Sequence, residues 1–144
     1  MKKVIFICTG NTCRSPMAQG LFAAYLAQRN VEDIAVDSAG IFAVDGESAS
    51  GQAVRAVKAF GVDLAGHEAK KLSEHDVCAD DILVAMTRDH ADMARLVCPQ
   101  CRHVLTLSTE DISDPYGGSQ EVYDACAEEI WAKLPALYER VRQQ

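Results

Sequence analysis

No apolar run in this chain approaches the roughly 20 residues that a membrane-spanning helix needs. The run nearest the start, Val4-Ile5-Phe6-Ile7, stops after four residues. It is also too short for the apolar region of a signal peptide, although Met1-Lys2-Lys3 precedes it. A cytoplasmic protein with no membrane partner is expected. Basic residues are in deficit: 14 Lys and Arg stand against 21 Asp and Glu, for a net charge of −7. A nucleic-acid backbone is held by a basic face, so no nucleic-acid partner is expected. The deficit does not bar a phosphorylated substrate, because a pocket on an acidic protein can be locally positive. Internal repeats, low-complexity tracts and linker-like stretches are absent too. One domain over residues 1–144 is expected, long enough to bury a core without disulfide staples.

What the chain does have is six cysteines: Cys8, Cys13, Cys78, Cys98, Cys101 and Cys126. In a reducing compartment these read as free thiols with reactive or metal-binding roles before they read as disulfides.

The apolar pattern alternates strands with helices. Val4 to Ile7 reads as a buried parallel strand, because both faces are apolar. Residues 8–15 form a polar loop, and Ser15-Pro16 looks like a helix cap with proline in the first helical position. A helix then runs to about Asn30. Strands are predicted at 34–38, 81–85 and 104–107, and helices over 52–60, 88–97 and 120–141, the last bent near Pro135. This order gives an α/β three-layer sandwich on a four-stranded parallel sheet. Ligands of such sheets sit beyond the carboxyl ends of the strands, where the loop at 8–15 lies.

That loop reads Cys8-Thr9-Gly10-Asn11-Thr12-Cys13-Arg14-Ser15. A strand-to-helix loop can turn its backbone N–H groups onto one anion, and the helix N-terminus adds positive potential. Gly10 permits close backbone approach. Arg14 offers a planar fork for two phosphate oxygens. Cys8 begins the loop, so its sulfur enters this field, which favours the nucleophilic thiolate. The Cys-x5-Arg-Ser spacing thus wraps one tetrahedral anion, phosphate or sulfate, in front of a nucleophile. The bland alternative is a buried cysteine beside a surface arginine in a tight turn; the strand before and the helix after argue against it. The chemistry also needs a proton donor for the leaving group. Asp114, in Ser113-Asp114-Pro115-Tyr116-Gly117-Gly118, follows the fourth strand at the same sheet edge. By itself Asp-Pro would be a simple turn. Tyr116 is a candidate pocket wall.

The chain resembles the low-molecular-weight protein tyrosine phosphatases in Cys8 to Pro16, Asp37 to Gly40, Gly66-His67 and Asp114 to Tyr116. The resemblance implies Cys8 as nucleophile through a phosphocysteine, Arg14 as transition-state clamp, and Asp114 as acid, then base. It implies phosphate binding by Thr9, Gly10, Asn11, Thr12, Cys13 and Ser15. Asn11, Ser15, Ser38 and His67 would hold the loop in shape, with Ser15 bonded to the Cys8 sulfur. Alone, His67 would read as a surface or satisfied core histidine. A phosphorylated protein is the implied substrate, and no metal or cofactor is implied.

Thr12 divides the family. Tyrosine phosphatases usually carry a branched aliphatic residue there, and the bacterial protein arginine phosphatases a threonine. The chain also resembles that branch in Ser38 to Ala43 and in Asp114 to Ser119, although Tyr116 stands where the branch would carry phenylalanine. Threonine is smaller and can hydrogen-bond a phosphoguanidinium, whereas a branched alkyl group favours a phenyl ring. The alternative is that Thr12 only satisfies loop backbone groups. Phe42, the one aromatic in the loop after the second strand, is a candidate substrate-pocket residue with Thr12 and Tyr116, and Asp45 and Glu47 could attract a cation. Phosphoarginine is the expected substrate, with phosphotyrosine as the alternative.

Cys13 is expected within reach of Cys8, as a partner for reversible oxidation; its ordinary role would be small apolar packing. Cys98-Pro99-Gln100-Cys101 reads as two thiols at a helix end, because no second ligand pair has zinc spacing. Cys78 and Cys126 read as helix-interior or core residues. The two remaining rivals are a thioredoxin-coupled arsenate reductase using Cys98 and Cys101, and a phosphoprotein-binding module without catalysis. The relay spacing does not fit the first. Cys8 and Asp114 argue against the second.

Overall fold

The computed structural model describes residues 1–144. Strand β1 (Lys2–Cys8) is central and pairs in parallel with β2 (Ile34–Gly40) on one side and β3 (Ile82–Ala85) on the other. Strand β4 (His103–Thr106) extends the sheet beyond β3, giving the order β2-β1-β3-β4. The chain leaves β1 toward one neighbour and later returns to its other side. The carboxyl end of β1 is therefore the switch point where such sheets open a crevice.

Helices cover both faces. Val4 and Phe6 point into a core shared with α1 (Arg14–Gln28), α2 (Gly51–Lys58) and α4 (Gln120–Arg142). Ile5 and Ile7 point the other way, against α3 (Arg88–Val97). This double coverage is why β1 is an unbroken apolar run and does not alternate. Phe6 and Phe22 meet edge-on at 5.7 Å on the α1 side. The expected three-layer α/β architecture is thus the observed one.

Several boundaries differ for physical reasons. Helix α1 starts at Arg14, so Ser15 is not its cap; Cys13 holds that position and caps nothing with its side chain. The Ser15 hydroxyl is committed elsewhere, to Cys8 and Asn11. By contrast Ser50, Thr87 and Ser119 each cap a helix by accepting a backbone N–H. Helix α4 continues through Pro135 to Arg142. Asp81 stands just before β3, where its carboxylate accepts the Cys78 N–H at 2.9 Å. Cys78 is exposed in that turn and not in a helix or core, whereas Cys126 is buried on α4. No helix is long and apolar enough to cross a membrane.

Candidate active site

The loop between β1 and α1 is shaped by Asn11, which adopts φ 57°, a left-handed conformation that asparagine tolerates. Its fully buried side-chain amide serves three partners, and its backbone carbonyl a fourth. Lys70 N–H donates to Oδ1 at 3.0 Å, which leaves Nδ2 to donate to Ser15 Oγ at 2.8 Å and Ser38 Oγ at 2.9 Å. Its carbonyl accepts from His67 Nε2 at 2.8 Å, so that nitrogen carries the hydrogen. Ser38 passes its own hydrogen to Gln19 Oε1 at 2.6 Å. The structure thus brings Asn11, Ser15, Ser38 and His67 into one network.

Gly40 is the glycine that this arrangement requires. A Cβ there would lie 2.6 Å from Thr9 O and 2.9 Å from Asn11 N, both backbone atoms that cannot move aside. At Gly10 a Cβ would meet only Thr12 Oγ1 at 3.7 Å, so nothing within the chain presses on it.

Cys8 Sγ lies 2.8 Å from Ser15 Oγ and accepts the Asn11 N–H at 3.3 Å. Ser15 already accepts from Asn11, so its hydrogen is available to the sulfur. Burial pushes the Cys8 thiol up from its ordinary value. It outweighs the downward pulls of the Ser15 hydroxyl, the Ser15 and Asn11 backbone groups and the Arg14 charge. The sequence argument for a depressed thiol counts those pulls but omits the desolvation of a residue only 3 % exposed.

Arg14 is buried, and its Nη1 donates to Ile112 O at 2.8 Å. Its Nη2 lies 3.6 Å from Asp114 Oδ2. The loop after β4 therefore anchors the guanidinium and sets the half-exposed Asp114 beside it. Asp114 Oδ1 accepts the Tyr116 N–H at 3.1 Å, which fixes the carboxylate within its own turn. A cleft of about 270 Å³ opens over this ensemble, lined by Cys8, Thr9, Gly10, Thr12, Cys13, Arg14, Glu47, Asp114 and Tyr116. A thiol, an arginine fork, an uncapped helix N-terminus and a carboxylate converge on one cavity. That set is suited to displacement at an anionic centre.

A model of the family described as low molecular weight phosphotyrosine protein phosphatase matches residues 3–144. The chain belongs to that family. This phosphatase is 36 % identical over 149 residues to the protein-arginine-phosphatase of Geobacillus stearothermophilus, covering 99 % of this chain and 97 % of that protein. It is similar in structure to a low molecular weight protein tyrosine phosphatase from T. tengcongensis, with TM-score 0.90 and 37 % identity over 97 % of this chain and 99 % of that one. A mutant of YwlE arginine phosphatase with a phosphorylated active site serine matches with TM-score 0.88 and 34 % identity, over 99 % and 97 % of the two chains.

One expected pocket residue of the phosphatase lies elsewhere than its place in sequence implies. Phe42 does not line the cleft. Ile41 and Ala43 turn into the protein, and the alternation sends Phe42 outward, 65 % exposed. Cys13 Sγ contacts Tyr123 Oη at 3.3 Å and Ser50 Oγ at 3.6 Å. Burial and the bond to Cys13 push Tyr123 up to about 12, so its phenol stays neutral. Cys98 and Cys101 precede β4 and so lie at the opposite end of the sheet from Cys8.

Three residues near the loop carry no motif of their own: Tyr123, His90 and Glu47. Tyr123 could be found as the polar-tipped aromatic on the buried face of α4, in line with Cys126, Ala127 and Ile130. His90 could be found from Thr87-x-x-His90, a cap signature directly after a buried strand. Glu47 has no signal beyond its charge.

Proposed function

We propose that this phosphatase removes phosphate from phosphoarginine in proteins, through a phosphocysteine formed on Cys8. Thr12 carries the substrate assignment. Its side chain lines the cleft and makes no hydrogen bond to the loop backbone, its one polar neighbour being Cys13 Sγ at 3.8 Å. The hydroxyl is therefore free for substrate. Glu47 places a carboxylate in the same cleft, which suits a cationic guanidinium. The names of the relatives in Geobacillus stearothermophilus and of YwlE support the same reading, and the phosphorylated serine in the YwlE mutant supports a covalent intermediate.

In this mechanism the Cys8 thiolate attacks phosphorus as the P–N bond breaks, and Asp114 gives its proton to the departing guanidine nitrogen. Arg14 and the loop N–H groups hold the three equatorial oxygens. Asp114 then takes a proton from water as that water attacks phosphorus, the S–P bond breaks, and inorganic phosphate leaves. A free thiol nucleophile suits a reducing compartment, which favours the cytoplasm.

A protein-tyrosine phosphatase is the second reading. Tyr116 favours it, because its ring is 79 % exposed at the cleft wall, where it could flank a phenyl group. The ratio of kcat/KM for a phosphoarginine peptide to that for a phosphotyrosine peptide decides between them, with Cys8→Ser as the blank. The ratio is expected to exceed one, and Thr12→Ile to lower it about tenfold or more through lost space and a lost hydroxyl. A ratio below one would replace the arginine assignment with the tyrosine one.

A further inference from the structure

The Asn11 side of the phosphate loop is tied by the Ser15, Ser38 and His67 side chains and by the Lys70 backbone N–H. On the Thr9 side the backbone oxygen accepts the Phe42 N–H at 2.9 Å, and the side chain is tied by a single chain of bonds running to α3. His90 is 8 % exposed. Its Nε2 lies 2.8 Å from Thr9 Oγ1 and its Nδ1 lies 2.9 Å from Thr87 Oγ1. Thr87 caps α3, so its oxygen accepts the His90 backbone N–H, at 3.1 Å. The one acceptor that the chain offers the Thr87 hydroxyl hydrogen is then His90 Nδ1. A neutral imidazole that accepts at Nδ1 carries its hydrogen on Nε2. That hydrogen goes to Thr9 Oγ1, which occupies the threonine as an acceptor and leaves its own O–H hydrogen unclaimed. Thr9 lines the cleft, and its hydroxyl has no other partner in the chain.

The surroundings keep the imidazole neutral. Burial, and after it the Arg14 charge, hold His90 below its ordinary value, against the opposing pulls of Asp114, Asp89 and Asp111.

We propose that Thr87 and His90 orient the Thr9 hydroxyl as a hydrogen-bond donor into the cleft, where it touches a phosphoryl oxygen of bound substrate. Thr9 is then a catalytic residue through its side chain, and His90 is a positioning residue that acts through it. This rests on the reading of Cys8 to Ser15 as a phosphate cradle. The relay does what oxyanion donors do elsewhere: it fixes a dipole before charge develops, so no reorganisation is needed during reaction.

The test uses p-nitrophenyl phosphate turnover and inhibition by inorganic phosphate. Thr9→Val keeps the shape and removes the hydroxyl; it should lower kcat/KM about tenfold to a hundredfold and weaken phosphate inhibition. Thr9→Ser should restore most of both. His90→Ala should cost about as much as Thr9→Val alone, yet little when added to it, because the two act in series. Imidazole nitrogen chemical shifts should place the His90 hydrogen on Nε2. Wild-type kinetics in Thr9→Val would overturn the proposal. So would an undiminished His90→Ala loss in the Thr9→Val background, or a hydrogen on Nδ1. Should His90→Ala fail to fold, the Thr9 pair and the nitrogen shifts decide. Turnover surviving in Cys8→Ser would overturn the cradle reading itself, a result distinct from a failure of Thr9.

Discussion

The segments Cys8–Cys13 and Cys98–Cys101 each carry two thiols, and they sit at opposite ends of the same sheet. Cys8 ends a strand and faces the start of α1, where N–H groups point outward. A hydroxyl, a backbone N–H and an arginine surround its sulfur. Cys98 ends α3, where carbonyls point outward, and it is fully buried among Ile5, Ile7 and Leu83. Burial pushes it up to about 11, and Cys101, Glu74 and Asp76 add to that rise. Cys101 spends its own thiol on Asp81 O at 3.1 Å. Burial raises both thiols, and the two turns differ in what surrounds each sulfur. The first turn sets a hydroxyl, backbone N–H groups and Arg14 against the rise that burial causes, and the second adds Cys101, Glu74 and Asp76 to it.

The widest separation between the two turns should appear on mutation. Cys8→Ser is expected to abolish turnover while leaving phosphate-ester binding intact, measured by steady-state kinetics and by calorimetry with a substrate analogue. Cys98→Ala should leave kcat/KM within about twofold and instead lower stability by about 1–2 kcal/mol, the cost of a small core cavity. Activity lost through Cys98 with an unchanged melting temperature would mean that the second turn takes part in chemistry after all. Next in size is Asp114→Ala, expected to slow phosphoarginine hydrolysis about a hundredfold or more. Its effect on p-nitrophenyl phosphate should be much smaller, because p-nitrophenolate leaves without a proton. An equal loss on both substrates would argue that Asp114 holds Arg14 in place and does not donate a proton.

The contrast was partly legible before any coordinates. Val4 to Ile7 followed by Cys-x5-Arg-Ser locates the crevice, because a buried parallel strand must end in a loop at the carboxyl edge. The helices at 88–97 and 120–141 are legible because their apolar spacing and Thr87 and Ser119 caps are local signals. What local reading misses is burial. It places Ser15 as a cap because Ser-Pro has that form, and cannot see that Cys8 and Asn11 claim the hydroxyl. It depresses the Cys8 thiol because the charges are visible and the desolvation is not. It puts Phe42 in the pocket because the resemblance expects an aromatic in that loop, whereas the side chain turns outward while Ile41 and Ala43 turn in. His90 joins the loop only when β3 lies beside β1, a pairing no short motif encodes.

Ser15 gives the finest test of how the first turn differs from the second. Its hydroxyl is the largest of the influences pulling the Cys8 thiol down against burial, and nothing comparable acts on Cys98. Removing it in Ser15→Ala leaves burial less opposed, so the thiol must rise further. A higher value means less thiolate at any pH below it. The rising limb of the kcat/KM profile should therefore move to higher pH, and the rate of iodoacetamide alkylation at Cys8 should move with it. At neutral pH the loss in kcat/KM should be about tenfold, the scale of one hydrogen bond to a charged group. Part of any loss will come from Asn11, which also gives up a partner at 2.8 Å. Ser38→Ala separates the two causes, because it removes a different partner of the same amide, at 2.9 Å, and leaves the Cys8 contact alone. A shifted pH limb in Ser15→Ala with an unshifted limb in Ser38→Ala would assign the tuning to the hydroxyl at the sulfur. Equal shifts in both would assign it to the shape of the loop.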